Sequence, residues 1–210
     1  MALTDAQRAY SLIRERVITT KMKPGAVIEE TALMAELGLG RTPIREALKL
    51  LESERLVVVS PRRGMFVADV TLTDLREIEE IRLELDTLCV RLAVQRMTPV
   101  QKVEMHRLVA ELRQVDGDYS QEELLNLDRR FHALLREAAH NRLLEDECRM
   151  LFNLSLRIWH LFINRLEPED LGEEAFEEIL AATETKDPMR ADKAMRKHIL
   201  KFGDSIKRYL

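Results

Sequence analysis

The sequence predicts a mainly α protein in which an N-terminal winged helix-turn-helix is followed by an all-helical bundle. Three observations lead there. Apolar residues recur at helical spacing along most of the chain, extended β-branched sequence is confined to a short stretch after residue 55, and charge is segregated between two parts. The 210 residues can bury one good core or two modest ones. With 46% hydrophobic and 33% charged residues, the composition is that of a soluble globular protein and excludes disordered and fibrous classes.

Residues 1–70 hold 11 Lys and Arg against 9 Asp and Glu, a net of +2, whereas residues 71–210 hold 22 against 28, a net of −6. These parts are the expected domains. The formal net charge of −4 hides a mildly basic first part, and a basic patch acts over only about 10 Å, so spacing matters more than the total. Cys89 and Cys148 are far apart in apolar helical surroundings, which supports neither a disulfide framework nor a zinc ribbon and suits a reducing cytoplasm. The N-terminal "MALTDAQRAYSLIRERV" lacks the apolar core of a signal peptide, and no run approaches the roughly 20 apolar residues of a membrane span. No membrane partner is expected.

The first part reads as three helices and a hairpin. Thr4 with Gln7 makes a capping box, and Ala9, Leu12, Ile13, Arg16 and Val17 keep an i, i+3, i+4, i+7 stripe that stops before "KMKPG". Pro24-Gly25 is a turn. Residues 30–37 form a short second helix with Leu33 and Leu37 inward, closed by Gly38. In "GLGRTPIREALKLLESERL", Thr42 caps a third helix with Pro43 in its first turn, and Ile44, Ala47, Leu48 and Leu51 are its buried stripe. "LVVVS", "PRRG" and "MFVADV" then give strand, turn and strand, with Gly64 supplying the positive φ of a tight hairpin.

Arg41, Arg45 and Lys49 fall at i, i+4, i+8 on the face opposite the buried stripe. In a helix-turn-helix the N-terminal residues of the second motif helix meet base edges in the major groove, here Arg41, Thr42 and Arg45. An arginine there matches guanine O6 and N7 with two hydrogen bonds. Arg62 and Arg63 at the hairpin tip suit phosphates or a minor groove. The alternative is a solvated face neutralised by Glu46, Glu52 and Glu54.

The stretch "MKPGAVIEETALMAELGLGRTPIREALKLLESERLVVVSPRRGMFV" resembles the DNA-binding domain of the GntR family of bacterial transcription regulators, over residues 8–70. The resemblance implies a homodimer on a palindromic double-stranded DNA operator, with Arg41, Thr42, Arg45 and Gly64 at positions the family uses for DNA. Two departures stand out. Gly40 replaces a usual serine, and Thr31 replaces a usual phosphate-gripping arginine, so fewer phosphate contacts and a shallower salt dependence are expected.

From residue 71 the pattern is helical throughout. Thr73 starts a long helix with Leu75, Ile78, Ile81, Leu85, Leu88 and Leu92; Thr98-Pro99 starts the next, ending near Gly117. Ser120 with Glu123 boxes a helix to about Ala139, "NRLLEDECRMLFNLSLRIWHLFINRL" and "GEEAFEEILAATETK" are two more, and Asp187-Pro188 caps a last one. The segments "EIEEIRLELDTLCVRLA", "LDRRFHALLREAAHNRLL" and "KDPMRADKAMRKHI" resemble the all-helical, FCD-type effector domain of the FadR-like branch, which senses small organic acids.

That resemblance implies a divalent metal, zinc, nickel or manganese, held by an Asp and a His one turn apart and two later histidines. Asp128 and His132 fit the first two and His198 the last. The third falls 22 residues before His198, on Phe176, which instead adds bulk to an effector cavity. Glu173 or Glu177 are candidate replacements. Read by spacing alone, Asp128 and His132 are also an ordinary i, i+4 ion pair, and His198 a core histidine. Arg82 lies where similar proteins place an arginine that clamps an effector carboxylate, a role that suits a guanidinium's paired donors. Its alternative is an ion pair with Asp86 or Glu79. Trp159, Phe152 and Phe162 read as core.

Three function classes follow: a ligand-responsive regulator, expected to act as a repressor; a metal-dependent enzyme on Asp128, His132 and His198; and an architectural DNA protein. No Ser–His–Asp set, glycine-rich phosphate loop or Cys–His pair supports an enzyme. A 140-residue helical domain exceeds what an architectural role requires.

Overall fold

A computed structural model describes residues 3–113, 120–165 and 174–209. It contains two compact units, one formed by the residues up to Thr71 with Leu156–Leu161, the other by Leu72–Ser155 and the residues from Phe162 on.

The first unit contains α1 (Asp5–Ile18), β1 (Val27–Ile28), α2 (Glu30–Leu37), α3 (Arg41–Ser53), β2 (Val57–Ser60) and β3 (Gly64–Val67). The α1 capping box forms as expected: the Thr4 hydroxyl accepts from the Gln7 N–H at 3.2 Å, and the Gln7 side chain accepts from the Thr4 N–H at 2.9 Å. Ala9, Ile13 and Val17 are fully buried against α3, whose Ile44, Ala47, Leu48 and Leu51 are equally enclosed. Each such aliphatic side chain contributes about 1.5–3 kcal/mol by leaving water. This core holds the exposed side of α3 in place.

Three local expectations need correction. The wing has three strands in the order β1-β3-β2, because Val27 and Ile28 pair with Phe66 and Met65. A two-residue strand carries too little sequence to show alternation. Gly40, with extended φ −70° and ψ 169°, is the N-cap of α3, so the helix begins at Arg41, and Thr42 lies inside its first turn rather than capping it. Leu37 is only half-buried; Leu39, in the turn after Gly38 (φ +65°), is the residue that fills the core.

The second unit contains α4 (Leu72–Arg96), α5 (Pro99–Arg113), α6 (Gln121–Ala138), most of α7 (Arg142–Phe162), a 3₁₀ turn (Ile163–Arg165), α8 (Glu174–Thr185) and α9 (Pro188–Lys207). The expected end of α5 near Gly117 and the candidate ligand Glu173 lie outside the described residues. Side-chain caps set four of the starts, Thr98 and Gln101 boxing α5 by the same reciprocal pair of bonds. Ser120 and Glu123 box α6, Asn141 accepts from the Leu144 N–H at 3.3 Å, and Asp187 accepts from the Met189 and Arg190 N–H groups with Pro188 at the first helical position.

The unit is organised around α4, which packs most extensively on α9 and also meets α6 and α8. At Gly203 a Cβ would lie 2.1 Å from Glu79 Oε2, so glycine leaves room on α9 for the Glu79 carboxylate of α4. The buried face of α4 follows the leucine spacing at Leu75 and Ile78, with Leu85, Leu88 and Leu92 half-buried against the core, but departs from it at Ile81. Ile81 is 47% exposed, while Arg82 and Asp86 are enclosed with Ile78, Cys89, Val90 and Ala93. Because Arg82 and Asp86 neutralise each other one turn apart, the helix can turn that polar pair inward. Cys89 and Cys148 are buried free thiols of one cluster with Ala139 and Leu144. Among the described residues no helix is long and apolar enough to cross a membrane.

Candidate functional site

The residues singled out for DNA all lie on the surface of the first unit. Arg41, Thr42, Arg45 and Lys49 are exposed along α3, and Arg62, Arg63 and Gly64 are exposed at the wing tip. Arg41 and Thr42 have N–H groups with no recorded acceptor, and Pro43 has none to donate, so the start of α3 presents a partial positive charge without a side-chain cap. The Arg45 Nε lies 3.4 Å from Glu30 Oε1 while its side chain stays 62% exposed, a loose tether that leaves the guanidinium available. Only this part of the solvated-face alternative is seen, and its partner is Glu30 of α2 rather than Glu46, Glu52 or Glu54. At the wing tip, Arg63 N–H donates to the Ser60 carbonyl, Arg62 takes φ +65° and Gly64 φ +102°. The positive φ therefore falls on Arg62 as well as on the glycine, and Arg62 is exposed. Arg63 lies over the Phe66 ring at 5.7 Å.

The second unit brings Asp128, His132 and His198 together. His132 Nε2 lies 3.6 Å from Asp128 Oδ1, His198 Nε2 lies 3.4 Å from the same oxygen, and the two Nε2 atoms are 3.3 Å apart. Donors bound at about 2.1 Å to one cation sit roughly 3.0–3.4 Å from each other, so this triangle fits a metal with little adjustment. Burial drives the His132 pKa down to about 3 against the opposing pull of Asp128, which keeps the imidazole neutral with a lone pair to offer. For Asp128, burial raises the pKa, but His132, His198 and Arg82 outweigh it and hold the carboxylate ionised below its ordinary range. The donor set is one carboxylate and two neutral-capable imidazoles, chemistry suited to zinc, nickel or manganese.

Phe176 stands beside this triad. Its ring stacks on Phe131 at 4.0 Å with an interplanar angle of 14°, and lies 5.8 Å from the His198 ring. It fills with apolar bulk the side where a further imidazole is expected. Glu177 does not replace it, being exposed and paired with Arg113 at 2.8 Å. His106 is likewise spent on a surface contact with Glu184.

Arg82 is 3% exposed, and its Nε donates to Asp86 Oδ2 at 2.7 Å, as one alternative reading of the sequence holds. That contact does not exhaust the guanidinium, because Nη2 is buried without a hydrogen-bond partner. Asp128 Oδ1 and His198 Nδ1 are also buried without one. Such atoms cost about 1–3 kcal/mol each unless something occupies the space before them. Sequence reasoning missed Arg136; Phe152 is buried as expected, and it also serves as the ring on which this cluster gathers. Arg136 is 9% exposed and its guanidinium lies over the Phe152 ring at 5.2 Å, with Arg82 at 5.5 Å from the same ring and His132 at 4.7 Å. The signal was present: Asp128, His132 and Arg136 fall at i, i+4, i+8 on α6.

Comparison with known proteins agrees with both units. The profile described as bacterial regulatory proteins of the gntR family matches residues 5–67, and that of the FCD domain matches residues 77–201. The HTH-type transcriptional regulator McbR of Escherichia coli is 32% identical over 171 residues, covering 79% of this chain and 76% of McbR. An HTH-type transcriptional regulator of Bacillus subtilis, YdhC, is 30% identical over 138 residues, covering 65% of this chain, and the matched stretch spans 62% of that relative's length. The solved structure of E. coli McbR has the same fold, with a TM-score of 0.85 at 24% identity over 99% of each chain. These relatives are regulators, which sets aside the metal-dependent enzyme. The chain belongs to the GntR family of bacterial transcription regulators and carries the FCD domain of its FadR-like branch.

Proposed function

We propose that the protein is a ligand-responsive repressor that binds a palindromic operator as a homodimer and is released by a small organic acid held in the helical unit. The DNA part of this reading rests on α3. Arg41, Thr42 and Arg45 occupy an exposed, uncapped helix start where base edges and a phosphate would both find donors, and Lys49, Arg62 and Arg63 extend the cationic surface. One recognition helix reads one half-site, so two copies in fixed relation are needed for a palindrome. A dimer seated across a promoter excludes polymerase, which makes repression the simplest outcome.

The observation that carries the effector part is a buried polar cluster around the triad, in which Arg82 Nη2 and His198 Nδ1 have no hydrogen-bond partner and Asp128 Oδ1 meets only the two imidazoles at 3.4 and 3.6 Å. A folded interior retains such atoms at a cost, and a bound acid would offset it. Asp128, His132 and His198 would hold a divalent cation there, which as a Lewis acid would offer open positions to ligand oxygens. Arg82 would meet a carboxylate, and Phe176 would shape the space beside the triad. Coupling between two such sites is usually worth about 1–3 kcal/mol, or a 5–150-fold change in operator affinity. The test is to select operator DNA from a random pool with the purified protein and titrate acids against the complex. Enrichment of a palindrome bound by two chains, and its release by an acid, is the expected result. A non-palindromic site bound by one chain, or indifference to every acid, would refute the dimer or the effector part respectively.

A further inference from the structure

Arg136 is the feature of the helical unit that the reading above leaves unused. It is nine-tenths buried and among the described residues makes no hydrogen bond or salt bridge; it lies over the face of Phe152 at 5.2 Å and feels the Asp86 charge only at a distance. Arg82 lies over the same ring at 5.5 Å and is paired with Asp86, whose charge also reaches Arg136; the other carboxylate within reach of Arg82 is Asp128, which belongs to the triad. Two buried guanidiniums with one carboxylate leave one positive charge at this corner. A buried cation without a counter-charge is costly, and a guanidinium stays protonated rather than relieve that cost.

The metal triad forms a second corner beside the same ring, since His132 lies 4.7 Å from Phe152. The His132 ring and the Arg82 guanidinium are therefore no farther apart than the 4.7 and 5.5 Å contacts laid end to end. A divalent cation held by Asp128 and two imidazoles, which bind metal in their neutral form, also leaves one positive charge. From these two corners we infer that the ligand is a dicarboxylic acid, one carboxylate held by Arg82 and Arg136 and the other directed to the triad. The inference deepens the acid-effector reading and rests on it. Arg136 is a binding residue in this arrangement, and the upper bound on the His132–Arg82 separation favours short diacids.

Calorimetry of the metal-loaded protein with matched acids tests it: malonate against propionate, succinate against butyrate, glutarate against valerate. At least one diacid should bind about tenfold more tightly than its partner, the margin that one charge-assisted contact supplies. Arg136→Met, which keeps a long side chain on Phe152, should erase the margin, and Arg136→Lys should restore part of it. Chelating the metal should erase it as well, because only the guanidinium corner then remains. Binding of acids without a diacid margin, or a margin that survives both Arg136→Met and chelation, would overturn this inference and leave the acid-effector reading standing. Absence of binding by all six acids to the metal-loaded protein would overturn both. Should Arg136→Met fail to fold, the wild-type panel, the chelated protein and Arg136→Lys decide the matter.

Discussion

Arginine does opposite work in the two units. In the first, Arg41, Arg45, Arg62 and Arg63 stand in water above an ordinary aliphatic core that does not need them. In the second, Arg82 and Arg136 are sealed inside the bundle at 3% and 9% exposure, with one carboxylate and one aromatic ring between them. Surface cations are hydrated whether or not DNA is present, so their removal changes binding and little else. Enclosed cations are part of the fold and of any ligand site at once, so function and stability cannot be separated there.

The largest expected effect comes from breaking that inner balance. Asp86→Ala leaves two guanidiniums buried without a carboxylate and should cost about 3–5 kcal/mol in urea unfolding, whereas removing the outer counterpart, Glu30→Ala beside Arg45, should cost less than about 1 kcal/mol. Equal losses would mean that the inner arginines find water or another anion in the folded chain.

Phe176→His comes next. It should turn a three-donor site into a four-donor one, so that at a metal concentration a hundredfold above the dissociation constant the protein gains about 2.7 kcal/mol of stability, with higher metal content after purification. Full metal occupancy of the unmodified protein that resists prolonged chelation would instead show that another donor completes the shell. Arg41→Ala and Arg45→Ala should each weaken specific operator binding by roughly 1–3 kcal/mol with unchanged thermal unfolding, and unaltered affinity in both would remove α3 from base reading. Smallest are the wing variants. Arg62→Ala and Arg63→Ala should weaken binding to all sequences alike and reduce the salt slope by about one unit each, which a titration in salt reads directly.

The contrast also explains what the sequence made legible. The stripes Ala9, Ile13, Val17 and Ile44, Ala47, Leu48, Leu51, together with the Thr4 box and Gly38, announce the first unit because local spacing and local caps determine it. β1 escaped notice because two residues cannot display a period, and its pairing with β3 spans nearly forty positions. In α4 the leucine spacing holds at Leu75, Ile78, Leu85, Leu88 and Leu92 but fails at Ile81, beside which the bundle encloses Arg82 and Asp86. Charged residues in a helix read as solvated until a partner one turn away allows their burial. On α6, helix geometry alone put Asp128 and His132 side by side, but His198 lies 66 positions away and was reached only through resemblance to a family. Arg136 shared that face and was passed over, since an unpaired arginine normally belongs outside.

The claim that the two units divide DNA reading and ligand sensing is tested most directly by fluorescence anisotropy of the selected operator, with and without the tightest-binding acid of the calorimetric panel. The acid should release the operator from the wild-type protein by 5–150-fold in affinity, a coupling of about 1–3 kcal/mol. Arg136→Met should blunt that release, while Arg45→Ala should bind operator poorly yet take up the acid as the wild type does. Operator affinity that stays constant while calorimetry shows the acid bound would contradict the account.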